Sequence, residues 1–251
     1  MMRKLRYFYI DPAELQKEPV TLRGSDVRHI KNVLRLKPGS RICLVDGEGF
    51  EYYAIIQRFW VDRVELEIMH RQQGKKESPV RISVAQGLLK EKKMDRLLRH
   101  LCELGIDDWI PFICERSIPT FEAKRLASRR ERWQKIVQES VKQCQRAKLP
   151  QIGETTMFQD VLEVGQSCDL TIVFFENEDA TLNSLVTPAL QTSVQNILLI
   201  LGPEGGFANG EIEMARAAGC RVAGLGPRIL RAETASIAAC TLVQYLFGDM
   251  G

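Results

Sequence analysis

Residues able to do chemistry concentrate in two loops near the C-terminal end. An apolar run, Leu198-Leu199-Ile200-Leu201, breaks into Gly202-Pro203-Glu204-Gly205-Gly206, and Asn209 then reads as the start of a helix. Strand, glycine loop and helix make the layout of a phosphate cradle, which works by aiming backbone N–H groups and a lysine at negative charge. Here Pro203 has no N–H to donate, Glu204 repels phosphate, and the pattern G-x-x-x-x-G-K-[ST] occurs nowhere in the chain. The second loop, Gly224-Leu225-Gly226-Pro227-Arg228-Ile229, begins like a dinucleotide fingerprint. Ile229 occupies its third glycine position, however, and no acidic residue falls near position 244 to take a ribose hydroxyl. ATP and NAD are therefore poor fits.

Two Gly-Pro loops at the carboxyl ends of adjacent parallel strands would still frame a crevice of the kind in which open α/β sheets bind ligands. Such a ligand must tolerate a carboxylate and use backbone contacts and apolar walls. A nucleoside without phosphate and with a positive centre, such as S-adenosylmethionine, meets those terms. Taken locally, the same residues also suit plain strand-to-helix turns. Arg228 and Arg231, three apart in an otherwise acidic region, are placed to hold an anionic base or a phosphate. The alternative for them is a surface ion pair with Glu233. Thr234 or Ser236 is expected to cap the helix that follows.

These loops need a sheet behind them. From residue 80 onward apolar strands ("VRISVAQGLL", "WIPFIC", "LTIVFFE", "NILLIL", "CRVAGLG") alternate with helical segments, the pattern of a parallel sheet covered on both faces. The helices are expected over "KEKKMDRLLRHLCELG", residues 122–147, "GEIEMARAAG" and "TASIAACTLVQYLF". The first 75 residues differ. "SRICLVDGEGFEYYAII" places two alternating runs around Asp46-Gly47, a hairpin signal, and "RVELEI" alternates strictly. A short helix over "VRHIKNVLRL" precedes them, and a small β-barrel is the expected outcome. The polar stretch "RQQGKKESP" reads as a linker, dividing the chain into 1–73 and 74–251.

Charge is split along the chain. Residues 1–80 hold 15 Lys+Arg against 11 Asp+Glu, residues 81–150 hold 16 against 9, and residues 151–251 hold 4 against 12. One part of the molecule is thus suited to a polyanion. The 7 cysteines are scattered without a C-x-x-C pair, so neither a disulfide framework nor a metal site is expected. No apolar stretch approaches the roughly 20 residues of a membrane span, and the basic start lacks an apolar h-region, so a cytoplasmic location is expected.

The segments "LLILGPEGGF" and "LGPRILRAETA" resemble the signature of the bacterial 16S rRNA (uracil-N3)-methyltransferases, of the SPOUT class of knotted S-adenosylmethionine-dependent methyltransferases. "HIKNVLRLKPG", "LVDGEG", "GLLKEKKMDRLLRHLCELGIDDWIPFICERS", "ERWQKIVQESVKQCQRAKLPQI" and "LFGDMG" extend the resemblance nearly end to end. Three positions depart from the pattern: His100, Lys142 and Gln145. The resemblance implies a PUA-like barrel followed by an α/β domain with a parallel sheet whose C-terminal part is a trefoil knot. It assigns Leu201, Gly202, Pro203, Glu204, Gly205 and Gly206 to cofactor contacts, and with them Leu225, Gly226, Ile229 and Leu230. It also implies a homodimer with sites close to the subunit interface, acting on 16S rRNA of the small ribosomal subunit. A SPOUT enzyme for another RNA site and a non-catalytic RNA-binding module are the alternatives.

Methylation at N3 of uracil requires loss of the N3 proton and stabilisation of the negative charge that develops on the base. Arg231 is the leading candidate for holding the uracil or its phosphate. Glu204 is as suited to a cationic cofactor group as to the role of base, and the base stays unassigned. N3 lies on the Watson–Crick edge, so a paired uridine must be unpaired or flipped out. Arg35, Lys90, Arg116, Arg146 and Arg228 are read as RNA contacts, since charge on the basic helices lies opposite their apolar faces.

Overall fold

The computed structural model describes residues 5–90, 92–117 and 123–251, with side chains from 126 onward in the last segment. Two compact units emerge. The first runs to Glu77 and takes in Gln138–Leu149, and the second comprises Ser78–Val137 and Pro150–Gly251. A linker at 71–79 predicts one division of the chain, at 73/74, whereas the first unit also draws on a segment distant in sequence. The Glu77 carboxylate shows why: it accepts hydrogen bonds from the backbone N–H groups of Ala147 and Lys148 at 2.9 and 3.0 Å and pairs with Arg146.

In chain order the first unit holds β1 (Tyr7–Tyr9), α1 (Pro12–Leu15), β2 (Val20–Arg23), α2 (Ser25–Arg28), β3 (Arg41–Val45), β4 (Phe50–Phe59) and β5 (Arg63–Gln73). They form a mixed sheet in the order β1-β3-β4-β5-β2, parallel only between β1 and β3. The β3–β4 hairpin forms around Asp46-Gly47 as the residue types predict. Buried Asp46 takes the N–H groups of Glu48 and Phe50 at 2.8 and 3.0 Å, and Gly47 and Gly49 supply the positive φ values of 80° and 109°. Ile30, Ile42, Leu44, Ile56 and Val64 are fully buried and form its core. The helix expected over 27–36 is shorter: α2 continues into a wider π-helical turn, His29–Val33, and Arg35 at φ 50° ends it.

The second unit holds β6 (Arg81–Gly87), α3 (Lys93–Glu103), β7 (Asp108–Ile113), α4 (Ala123–Cys144, whose last turns fall in the first unit), β8 (Gln151–Ile152), β9 (Thr156–Met157), α5 (Phe158–Gly165), β10 (Leu170–Phe174), α6 (Leu182–Leu185), α7 (Pro188–Ser193), β11 (Asn196–Leu201), α8 (Asn209–Ala217), β12 (Arg221–Ala223) and α9 (Ala232–Phe247). The sheet is parallel, in the order β12-β10-β11-β6-β7-β8, with β9 also pairing with β7. All of β10 is buried, as is β11 after its first residue, which explains their unbroken apolar sequences. On one face Phe158, Val161 and Leu162 of α5 and Ile212 and Ala215 of α8 pack against Val173, Leu198 and Ile200. On the other, α9 packs against β11 and α3. The strands carrying the two Gly-Pro loops are not neighbours as expected, because β10 pairs with both and separates them.

Candidate active site

Where β10, β11 and β12 end at their carboxyl sides, the chain opens a cavity of about 370 Å³. The loop after β11 is fixed at both ends. At its start, fully buried Gln86 donates from Nε2 to the Gly202 carbonyl at 2.9 Å and accepts from Ser236 Oγ of α9 at 2.6 Å. Gly87 lets the loop approach, since a Cβ there would lie 2.7 Å from Pro203. Further along, Gly206 adopts φ +66° and its N–H donates to the Pro203 carbonyl at 3.0 Å. Phe207 closes the loop by packing on Phe112 and Phe158. The buried Glu211 carboxylate then holds the start of α8 through the Ala208 N–H at 2.9 Å and joins it to the Glu115 N–H at 2.9 Å.

Leu201, Gly202, Pro203, Glu204 and Gly206 line this cavity, and Leu225, Gly226, Ile229 and Leu230 face it from the loop after β12. Gly205 does not; it lies against Arg116, whose guanidinium donates to the Gly205 carbonyl at 3.3 Å. Arg228 and Arg231 both line the cavity, and among the described residues neither is drawn into an ion pair. Glu233, the partner considered for them, instead meets Lys93 at 3.5 Å. The expected caps on α9 are replaced as well. Arg231 is the flanking residue, and Ser236 sits inside the helix with its hydroxyl turned to Gln86 and the Ala232 carbonyl. The first turn of α9, with its positive dipole end, thereby lines the cavity beside Arg231.

Sequence reasoning missed Lys93, Phe174, Phe175, Glu176 and Glu233, which also line the cavity. "VFFE" carried a signal for three of them, since it ends an apolar strand in the same sheet as the two loops. What was wanting was the strand order that puts β10 between β11 and β12. Lys93 bonds Glu204 at 3.1 Å, and the Lys90 N–H reaches the same carboxylate at 3.2 Å. Burial pushes the Glu204 carboxyl up, but these two donors outweigh it and hold the group below its ordinary range. The Lys93 ammonium is correspondingly raised by Glu204 and then Glu233. Glu233 Oε2 is buried with no hydrogen-bond partner among the described residues. Glu176 is exposed at the cavity, and its Oε1 lies 2.4 Å from where a Cβ on Gly206 would stand.

The residues read as RNA contacts divide. Arg35 is exposed in the first unit, and Lys90 and Arg116 are exposed in the second. Arg146 is different: it is 3% exposed and donates to the Glu77 carboxylate from Nε at 2.9 Å and from a terminal nitrogen at 2.7 Å. That guanidinium ties the first unit together and is not offered to a phosphate backbone. None of the three histidines lines the cavity.

A family model described as an RNA methyltransferase domain matches residues 76–244, and one described as an RNA methyltransferase PUA domain matches residues 22–58. The chain belongs to this RNA methyltransferase family. Over 96% of each chain it is 31% identical to the ribosomal RNA small subunit methyltransferase E of Bacillus subtilis. A Neisseria gonorrhoeae enzyme of the same name, solved with S-adenosyl methionine bound, superimposes with a TM-score of 0.87 at 32% identity, over 99% of this chain and 100% of that one. A Legionella pneumophila protein solved with its bound cofactor SAM superimposes with a TM-score of 0.86 at 26% identity, over 98% and 100%. As in the family, a PUA-like region precedes the α/β methyltransferase unit. No helix among the described residues is long and apolar enough to cross a membrane.

Proposed function

We propose that this chain transfers a methyl group from S-adenosylmethionine to N3 of a uridine in 16S ribosomal RNA. One observation carries the reading: both family-signature loops converge, with the end of β10, on a single cavity. The full-length relationship to small-subunit rRNA methyltransferases, one of them solved with this cofactor, supports it.

The residues fit a sulfonium nucleoside. Leu201, Pro203, Phe174 and Leu230 supply apolar walls, and Gly226, at φ +90° with open space where a Cβ would stand, presents bare backbone. Lys93 is held by Glu204 and Glu233 and so is not offered to a triphosphate, while Glu176 lines the cavity without an ion pair among the described residues. The buried, unpartnered Glu233 Oε2 is an acceptor awaiting a donor. When bound, S-adenosylmethionine supplies an electrophilic methyl group for a ring nitrogen.

The chain's own residues do the rest. Arg231 and Arg228 offer positive charge to the uracil and its phosphate, stabilising the anion left when N3 loses its proton. Glu204 is committed to Lys93 and Lys90, which makes it a poor base. Glu176, unpartnered among the described residues, is the proton acceptor in this reading. The target uridine is presented unpaired. The enzyme acts as a homodimer, and the segments after β10 form the trefoil knot of the SPOUT class. Incubating the protein with unmodified small ribosomal subunits and methyl-labelled cofactor, then mapping the labelled nucleoside, tests the assignment. Label on N3 of one uridine is expected; label on a ribose or another base refutes it.

A further inference from the structure

The tip of the β4–β5 hairpin has an unusual composition. The Trp60 N–H donates to the Arg63 carbonyl at 2.9 Å, closing the turn around Val61 and Asp62. Turns of this length favour Gly, Asn and Asp at their centre, yet Val61 stands there and is 97% exposed. Beside it the Trp60 ring is 40% exposed. Two guanidiniums flank that ring, Arg63 at 4.7 Å and Arg58 at 5.4 Å from its centroid. Lys31 adds a third cation, bonded to the Trp60 carbonyl and 5.6 Å from the Phe59 ring centroid. Asp62 is engaged by Arg23 at 3.1 Å and Arg63 at 3.7 Å, and Arg63 also meets Glu65 at 3.6 Å, which leaves Arg58 and Lys31 as the cations here without a carboxylate partner among the described residues. Neither turn chemistry nor core packing requires a tryptophan and a valine at this apex.

We infer that the hairpin tip is a stacking platform for an unpaired nucleotide of the RNA substrate, with Trp60 receiving the base and Arg58 and Lys31 its phosphates. An exposed aromatic ring among guanidiniums is the combination that binds single strands, because every base has a π-face and every linkage a negative charge. The charge argues for RNA against an apolar protein partner, which would have to desolvate three cations to reach the ring. The inference rests on the RNA-methyltransferase reading for the identity of its ligand, but it lies outside the cavity and involves none of its residues.

The full-length protein provides its own probe. Trp109 and Trp133 are at most 1% exposed, so quenching of tryptophan emission by an added ligand reports on Trp60. A short oligouridylate is expected to quench emission and duplex RNA of equal length to do so much less. Trp60→Ala is expected to raise KM for small ribosomal subunits about tenfold, the size of one lost base stack. Its kcat and S-adenosylmethionine affinity should stay unchanged, and Trp60→Phe should restore most of the loss. Absence of quenching, or equal KM values for wild type and Trp60→Ala, overturns the proposal, and so does a fall confined to kcat. The quenching arm needs no methyl transfer, so a wrong target nucleotide and a wrong platform give different results.

Discussion

Gln86 accepts a hydrogen bond from Ser236 at 2.6 Å, joining the end of β6 to the second turn of α9 across 150 residues of sequence. The amide of the same side chain holds the Gly202 carbonyl, so one fully buried glutamine braces the loop after β11 and the helix that carries Arg231. Gln86→Leu leaves a buried hydroxyl and a buried carbonyl each with one partner fewer. Urea unfolding should show a loss of about 1–3 kcal/mol, and calorimetry a weaker affinity for S-adenosylmethionine.

Arg231→Ala is expected to lower single-turnover methylation about a hundredfold, the scale of losing one donor aimed at developing charge. Cofactor affinity should change far less, because no group among the described residues depends on this guanidinium for an ion pair. A parallel fall in both would make Arg231 a cofactor ligand.

Glu176→Gln keeps the size of the side chain and removes its basicity. Turnover should drop by roughly 10²-fold or more, with cofactor binding retained. An unaltered single-turnover rate would assign the proton to another group.

Gly206→Ala forces a side chain onto a positive φ and toward the Glu176 carboxylate. Expected costs are about 1–2 kcal/mol for the backbone alone, together with impaired cofactor binding. Gly210, in α8, has open space where a Cβ would stand, so Gly210→Ala should instead stabilise by up to about 1 kcal/mol. Thermal melts of the two variants side by side check this contrast.

The Glu204–Lys93 pair sets a pH window. Glu204 is lowered from 4.5, so its contribution is present above that value and lost as pH falls through the lower folded value. Lys93 is raised from 10.5, so its contribution is complete below that value and lost as pH rises through the higher folded one. Stability measured down the acid side should fall less steeply for Glu204→Gln than for the wild type.

Local patterns in the sequence determined much of this protein. Apolar runs marked β6, β7, β10, β11 and β12 but not the two-residue β8 and β9, because strands buried on both faces must be apolar throughout while so short a strand carries no pattern. The proline and glutamate in "LGPEGGF" excluded a polyphosphate by removing a donor and adding a repelling charge, and the second arginine-bearing loop supplied its counterpart. Those properties belong to residue types and short spacings. The tertiary structure alone decided what depended on contacts between distant segments. Strand order inserted β10 between the two loops and so brought Phe174, Phe175 and Glu176 into the cavity. It turned Lys93 of α3 onto Glu204, assigned Ser236 to Gln86 instead of a helix cap, and buried Arg146 against Glu77. Arg146 shows the reason most plainly: in a basic run a guanidinium that meets phosphate and one that closes a buried ion pair are the same letter, and only the carboxylate 69 residues away distinguishes them.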